Sequence, residues 1–207
     1  MDIRLLLISH ASTAAMRAAR FPADDQLDAR GLAEAGAARP RLSIPDDAVV
    51  FVSPAVCTRD TASALGLSAV VNKGLADMDY GLWHGRRLAD LAVEAPQDLG
   101  AWTCDPDAAA HGGESFSQLV KRVGLWLDGL DNALSEGGTG LTGTKTNRMP
   151  RNAQNVVAIT HAPVIRAALV CALAASPAVF SRIEIAPLST VELRRSRCGW
   201  TWWPASQ

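Results

Sequence analysis

Short, uninterrupted apolar runs alternate along this chain with longer stretches of helical spacing. Ile3-Arg-Leu-Leu-Leu-Ile8 is the first run, and it ends in Ser9-His10. Val49-Val-Phe-Val52 and Val156-Val-Ala-Ile159 have the same character and end in Ser53-Pro54 and Thr160-His161. Short apolar runs of this kind, bounded by polar or turn-forming residues, read as strands buried on both faces. Ala69-Val-Val71 predicts a shorter strand. Ile183–Ile185 and Ser189–Leu193 predict two more, leading to Trp200-Thr-Trp-Trp203 as a terminal strand packed on the core. Between the strands, Leu27 to Arg39 has helical spacing and Pro40 closes it. A second helix runs from Ser53-Pro54 through Leu65 to Gly66. Gly112-Gly-Glu-Ser115 opens a long amphipathic helix with Leu119, Val123, Trp126, Leu127 and Leu130 on one face. A further helix starts at Pro163. This alternation predicts an α/β fold: a three-layer sandwich with a mostly parallel central sheet and helices on both faces.

The remaining segments read as loops. Asp77–Gly85 has Gly81 and Gly85 bracketing Trp83, and Glu136–Asn155 loses all apolar periodicity, which predicts a flexible surface loop at 136–155. With 207 residues the chain suits one domain over 1–207. Lys+Arg (20) and Asp+Glu (21) nearly cancel, so no basic surface is available for nucleic acid, and any phosphate site must come from a local cluster. The apolar stretch Leu5–Ile8 is too short for a leader or a membrane span, and the alanine-rich run from Ala162 to Ala175 reads as a buried helix. The cysteines at 57, 104, 171 and 198 show no metal-type spacing and read as thiols of a cytoplasmic protein.

The chemistry concentrates at strand ends. Leu-Ile-Ser-His10-Ala and Ala-Ile-Thr-His161-Ala repeat one signature. In open α/β sheets ligands bind beyond the carboxyl ends of strands, so both imidazoles are expected at one crevice. The strand Val49–Val52 leads into the helix bearing Arg59. Two histidines and an arginine at one sheet edge describe a pocket for a phosphoryl group.

These residues sit in an order that resembles the histidine phosphatase (phosphoglycerate-mutase-like) superfamily. The family's Arg-His-Gly-x-Thr opening is similar to Ser9-His10-Ala11-Ser12-Thr13. Asp24-Asp-Gln-Leu27-Asp-Ala-Arg-Gly31 resembles its Asp-x-x-Leu-Thr-x-x-Gly stretch. Its Ser-Pro-x-x-Arg-x-x-x-Thr-Ala element is similar to Ser53-Pro54-Ala-Val-Cys-Thr-Arg59-Asp-Thr61-Ala62, where the arginine comes later. Asp77-Met-Asp-Tyr-Gly81-Leu-Trp83-His-Gly85 resembles its Glu-x-x-x-Gly-x-Trp-x-Gly stretch. Gly112-Gly-Glu114-Ser115 and Thr160-His161-Ala162 complete the series.

The resemblance implies that His10 is the phosphorylated nucleophile and that Asp77 is the proton donor to the leaving group. Arg59 and His161 would clamp the phosphoryl oxygens. It implies no metal and no cofactor, and a small phosphorylated metabolite as partner, with no nucleic acid or membrane involved. Ser9 stands in place of the family's first arginine. It keeps a hydrogen-bond donor and loses a charge, which makes Arg17 and Arg20, with Arg86, the candidate replacements. Loss of one such donor typically costs about 10²–10³ in rate. The leading reading is a phosphomonoesterase. Its rivals are a mutase-like phosphoryl transfer, a non-catalytic phospho-ligand binder, and a metallohydrolase using His10, His161 and Asp77, which the clamp arginine disfavours. Specificity is expected from Arg17–Asp25, Leu82–Arg87 and Asp105–His111. His84 is equally an exposed loop residue, His111 a turn residue, Glu114 a helix-start acid and Cys57 a small buried filler.

Overall fold

A computed structural model describes residues 3–135 and 155–204. The expected loop at 136–155 lies outside the described residues except for Asn155, which begins a strand. In chain order the elements are β1 (Ile3–Ser9), α1 (Ala14–Arg17), α2 (Ala29–Ala38), β2 (Val49–Val52), α3 (Val56–Ala64) and β3 (Val70–Val71). Then come α4 (Leu88–Glu94), α5 (Pro96–Cys104), α6 (Phe116–Ser135), β4 (Asn155–Thr160), α7 (Ala162–Ala172), β5 (Thr190–Ser196) and β6 (Gly199–Trp203).

The strands form a mixed six-stranded sheet in the order β3-β2-β4-β1-β5-β6. β1 and β2 both pair with β4 in parallel, β3 pairs with β2 in parallel, and β5 and β6 add antiparallel strands at one edge. Apolar residues on both sides of the pleat explain the continuous runs. On β1, Leu5 and Leu7 belong to the core shared with α6 and α7, whereas Leu6 and Ile8 pack with Val50, Val52, Val157, Ile159 and, from α3, Ala62. Burying each such leucine, isoleucine or valine contributes about 1.5–3 kcal/mol. Helices therefore cover both faces, as the alternation of elements predicts.

α6 buries Leu119, Val123, Leu127 and Leu130, the stripe read from its spacing. Two expectations are corrected. Ile183–Ile185 is not a strand: it follows a 3-10 turn, Pro177–Arg182, and packs its isoleucines on the core without a partner strand. Two-residue alternation alone does not make a strand when no ladder is within reach. The terminal β6 packs only through Trp200; Trp202 and Trp203 are exposed, and Arg194 covers the Trp203 ring at 4.0 Å. No helix among the described residues is long and apolar enough to cross a membrane.

Candidate active site

The two histidines meet because of strand register. β1 and β4 are neighbours in which Ser9 stands opposite Thr160, so the next residue of each leaves the sheet at the same level. The His10 N–H donates to the Thr160 carbonyl at 3.0 Å, and the two imidazole centroids lie 5.1 Å apart, edge to face. Thr61 on α3 accepts from Ala11 N–H at 3.1 Å and donates to the Cys57 carbonyl, tying the chain after His10 to that helix.

His10 is buried, and its Nδ1 sits 2.8 Å from the Ala11 carbonyl oxygen, which fixes Nδ1 as the protonated nitrogen and leaves the Nε2 lone pair for the cavity. Burial, and then the neighbouring His161, lower its pKa to about 4. His161 is more deeply buried, and burial first, then Arg122, lowers its pKa to about 3. It is therefore neutral at pH 7. His161 Nδ1 stands 3.3 Å from Asp77 Oδ2 and Nε2 stands 2.8 Å from the Ser53 hydroxyl. A neutral ring with its proton on Nδ1 faces the carboxylate and accepts from Ser53.

Asp77 completes this line. Burial raises its pKa to about 6, against the lowering effect of the Met78 N–H, which donates to Oδ1 at 2.8 Å. The segment that carries it is held by Arg122 on α6. That guanidinium donates to the carbonyls of Gly74, Ala76 and Asp77 and forks onto both oxygens of Glu114 at 2.9 and 2.8 Å. Glu114 thus anchors the brace. Gly113 seals the same junction: a Cβ there would lie 2.1 Å from the Asp79 carbonyl oxygen. His111 is a buried turn residue, as expected, accepting from the Gly113 N–H at 3.0 Å.

His10, His161 and Asp77 line one cavity of about 460 Å³. The loop Arg17–Asp25 contributes Arg20, Asp24 and Asp25 to its wall, and Leu82–Arg87 contributes His84. Asp105 borders an adjoining recess of about 210 Å³, which shares Tyr80 and Arg166 with the main cavity. His84 is half-exposed and bridges Asp79 and the Pro22 carbonyl, both at 3.1 Å.

Several expected cations are elsewhere. Arg59 is exposed and does not line the cavity. Successive helical residues turn by about 100°, so two positions along α3 reverse the direction of the side chain. Cys57 is the residue of α3 that faces the cavity; burial, then Asp77 and Asp24, push its thiol up to about 12. Arg17 is engaged by Asp28 and Ser12, and Arg86 by Glu94 at 2.5 Å, both off the cavity wall. Ser9 is buried at the end of β1 and is likewise absent from the wall. Of the predicted cations only Arg20 reaches it, paired with Asp25. Sequence reasoning missed Arg166 on α7, which lines both spaces and donates from Nε to the Ile183 carbonyl at 2.6 Å. Its place one turn beyond His161 was the available signal.

The chain matches the family described as histidine phosphatase superfamily (branch 1) over residues 5–203. Among curated proteins, it is 33% identical over 127 residues to the bifunctional protein Rv2228c of Mycobacterium tuberculosis, a match covering 58% of this chain and 35% of that one. It is 26% identical over 133 residues to phosphoserine phosphatase 1 of Hydrogenobacter thermophilus, covering 61% of this chain and 63% of the relative. The matched stretch thus spans about a third of the mycobacterial protein's length. Among solved structures, one described as mycobacterial hydrolase 1 superposes with a TM-score of 0.81 at 25% identity, covering 100% of both chains. The family's description and the Hydrogenobacter relative's name are both those of phosphatases.

Proposed function

Because the chain belongs to the histidine phosphatase superfamily (branch 1), we propose that it hydrolyses a small phosphate monoester, without a metal, through a phosphohistidine at His10. His10 Nε2 attacks phosphorus, forming the N–P bond as the ester P–O bond breaks. Asp77, protonated, gives its proton to the leaving alkoxide. Water then attacks the phosphohistidine, with the Asp77 carboxylate accepting a proton, and inorganic phosphate leaves. The observation that carries this reading is the neutral His10, held by the Ala11 carbonyl and sharing a cavity with a carboxyl whose pKa is raised to about 6.

The transferring group spreads charge over three oxygens, so positioning and electrostatics supply most of the catalysis. With Ser9 in place of the family's arginine and Arg59 turned outward, that task falls to Arg20 and Arg166 on the cavity wall. The phosphoserine phosphatase among the relatives supports a small-molecule ester. The hydrolysis of an aryl phosphate in excess chelator, by wild type and by His10→Ala, tests the reading. Activity that withstands the chelator and disappears in the variant is expected. Activity that needs metal, or survives in the variant, overturns it.

One observation favours a second reading, a phospho-ligand binder without turnover. Asp24, Asp25, Asp77 and Asp79 share the cavity with Arg20 and Arg166, and Arg20 is already paired with Asp25. Ligand binding without any labelled His10 in rapid-quench experiments would establish that reading.

A further inference from the structure

His10, Cys57 and His161 come from three different elements and converge: one ligand atom from each lies within 4.8 Å of the others, and all three residues are buried. Tetrahedral zinc with Zn–N bonds near 2.0–2.1 Å and a Zn–S bond near 2.3 Å spaces its ligand atoms by about 3.4–3.7 Å. Closing the observed separation therefore needs side-chain shifts of less than about 1 Å each, well within rotamer adjustment of two imidazoles and a thiol.

The surrounding groups are those a metal-bound histidine requires. His10 Nδ1 is held by the Ala11 carbonyl and His161 Nδ1 faces the Asp77 carboxylate. Carbonyl and carboxylate partners of this kind fix the tautomer and direct Nε2 at the ion. For His161 the Ser53 hydroxyl, now 2.8 Å from Nε2, gives way and keeps its contact with the Ala55 N–H. A water would fill the fourth position.

Of the guanidinium groups nearby, Arg59 is exposed outside the cavity, Arg20 is paired with Asp25 and Arg122 with Glu114, while Arg166 shares the wall with Asp24, Asp25, Asp77 and Asp79.

We infer that His10, Cys57 and His161 bind one soft divalent cation of the zinc type. Coordination replaces the Cys57 S–H proton, which leaves to solvent, by a sulfur–metal bond, and no electron is transferred. A thiolate and two imidazoles select zinc, cadmium or cobalt over magnesium and calcium. On the phosphatase reading proposed above, on which this consequence rests, the ion occupies the nitrogen that attacks phosphorus. Zinc then acts as a reversible inhibitor.

The test is titration of chelator-treated protein with Co²⁺, followed by its thiolate-to-cobalt absorption and by displacement with Zn²⁺. Wild type is expected to bind one equivalent with that absorption, and so is Cys104→Ala/Cys198→Ala, which removes the exposed thiols. Cys57→Ala and Cys57→Ser are expected to lose the absorption, and His161→Gln to bind at least about 10-fold more weakly, as removing a direct ligand does more harm than the 10–100-fold effect of losing its supporting partner. Circular dichroism checks that each variant is folded. Wild type without the absorption, or an absorption that persists in folded Cys57→Ala, overturns the site. Aryl-phosphate hydrolysis is read separately. Cobalt binding at Cys57 in a protein that forms no phosphohistidine removes the phosphatase reading and leaves the metal site standing. Turnover without cobalt binding does the reverse.

Discussion

The cavity has two walls built on different principles. One is the sheet edge, where His10 and His161 are set by the hydrogen-bond ladder of β1 and β4. The other is irregular: Asp24, Asp77, Asp79 and Tyr80 are held by side-chain-to-backbone bonds, by Arg122 reaching three carbonyls, and by the close approach at Gly113. On the proposed mechanism the first wall carries the nucleophile, and its geometry follows from pairing that many residues share. The second holds the proposed acid and most of the carboxylates, and its geometry hangs on a few residues. Substitutions should therefore remove chemistry from the first wall and loosen position in the second.

His10→Ala is the largest expected effect. Loss of the nucleophile should lower aryl-phosphate kcat/KM by at least about 10³-fold while the thermal midpoint changes little, since the ladder stays intact. Asp77→Asn should lower kcat by about 10²–10⁴-fold, the usual contribution of a positioned general acid. It should also change the pH profile. In wild type, activity is expected to rise as pH falls through about 6, where Asp77 gains its proton, and to drop again as pH falls through about 4, where His10 gains its own. The variant should keep the lower limb and lose the upper one.

Gly113→Ala probes the irregular wall alone. Its Cβ cannot fit against the Asp79 carbonyl, and overpacking of this kind costs about 1–3 kcal/mol in denaturant unfolding. Activity at a temperature where the variant is folded should fall as well, because Asp77 moves with the loop. Arg122→Met should act similarly by stranding Glu114 and three carbonyls, with kcat reduced more than KM is raised. Arg59→Ala is the smallest effect: it should leave kcat/KM within about twofold, as exposed substitutions away from a site usually do. A large loss there would reverse the placement of Arg59 and sharpen the case for a clamp on α3.

The two walls also differ in how far the sequence discloses them. β1, β2 and β4 are continuous apolar runs, and the twin Ser/Thr-His endings mark the site because a parallel ladder brings like ends together. α6 is legible from its stripe. By contrast, α4 buries only Leu91 and α5 buries no residue fully, so neither carries a period that would reveal a helix. Arg59 was assigned to the clamp from order in the sequence, and the rotation along α3 gives that place to Cys57. Arg122 was invisible because its partners are carbonyl groups, which every residue has. Arg166 was passed over as one cation inside an apolar helix.

The ladder between β1 and β4 has a consequence for how the protein comes to be. Its strands are far apart in the sequence, yet the paired imidazoles exist only once those strands have met. Closing so long a loop is slow compared with forming a helix, and its entropy is lost before contacts compensate. A chain still emerging during synthesis, or a partly refolded one with its helices in place, holds a histidine without its counterpart. The competent pair is a late product of folding, and only chains that have completed the centre of their sheet have it.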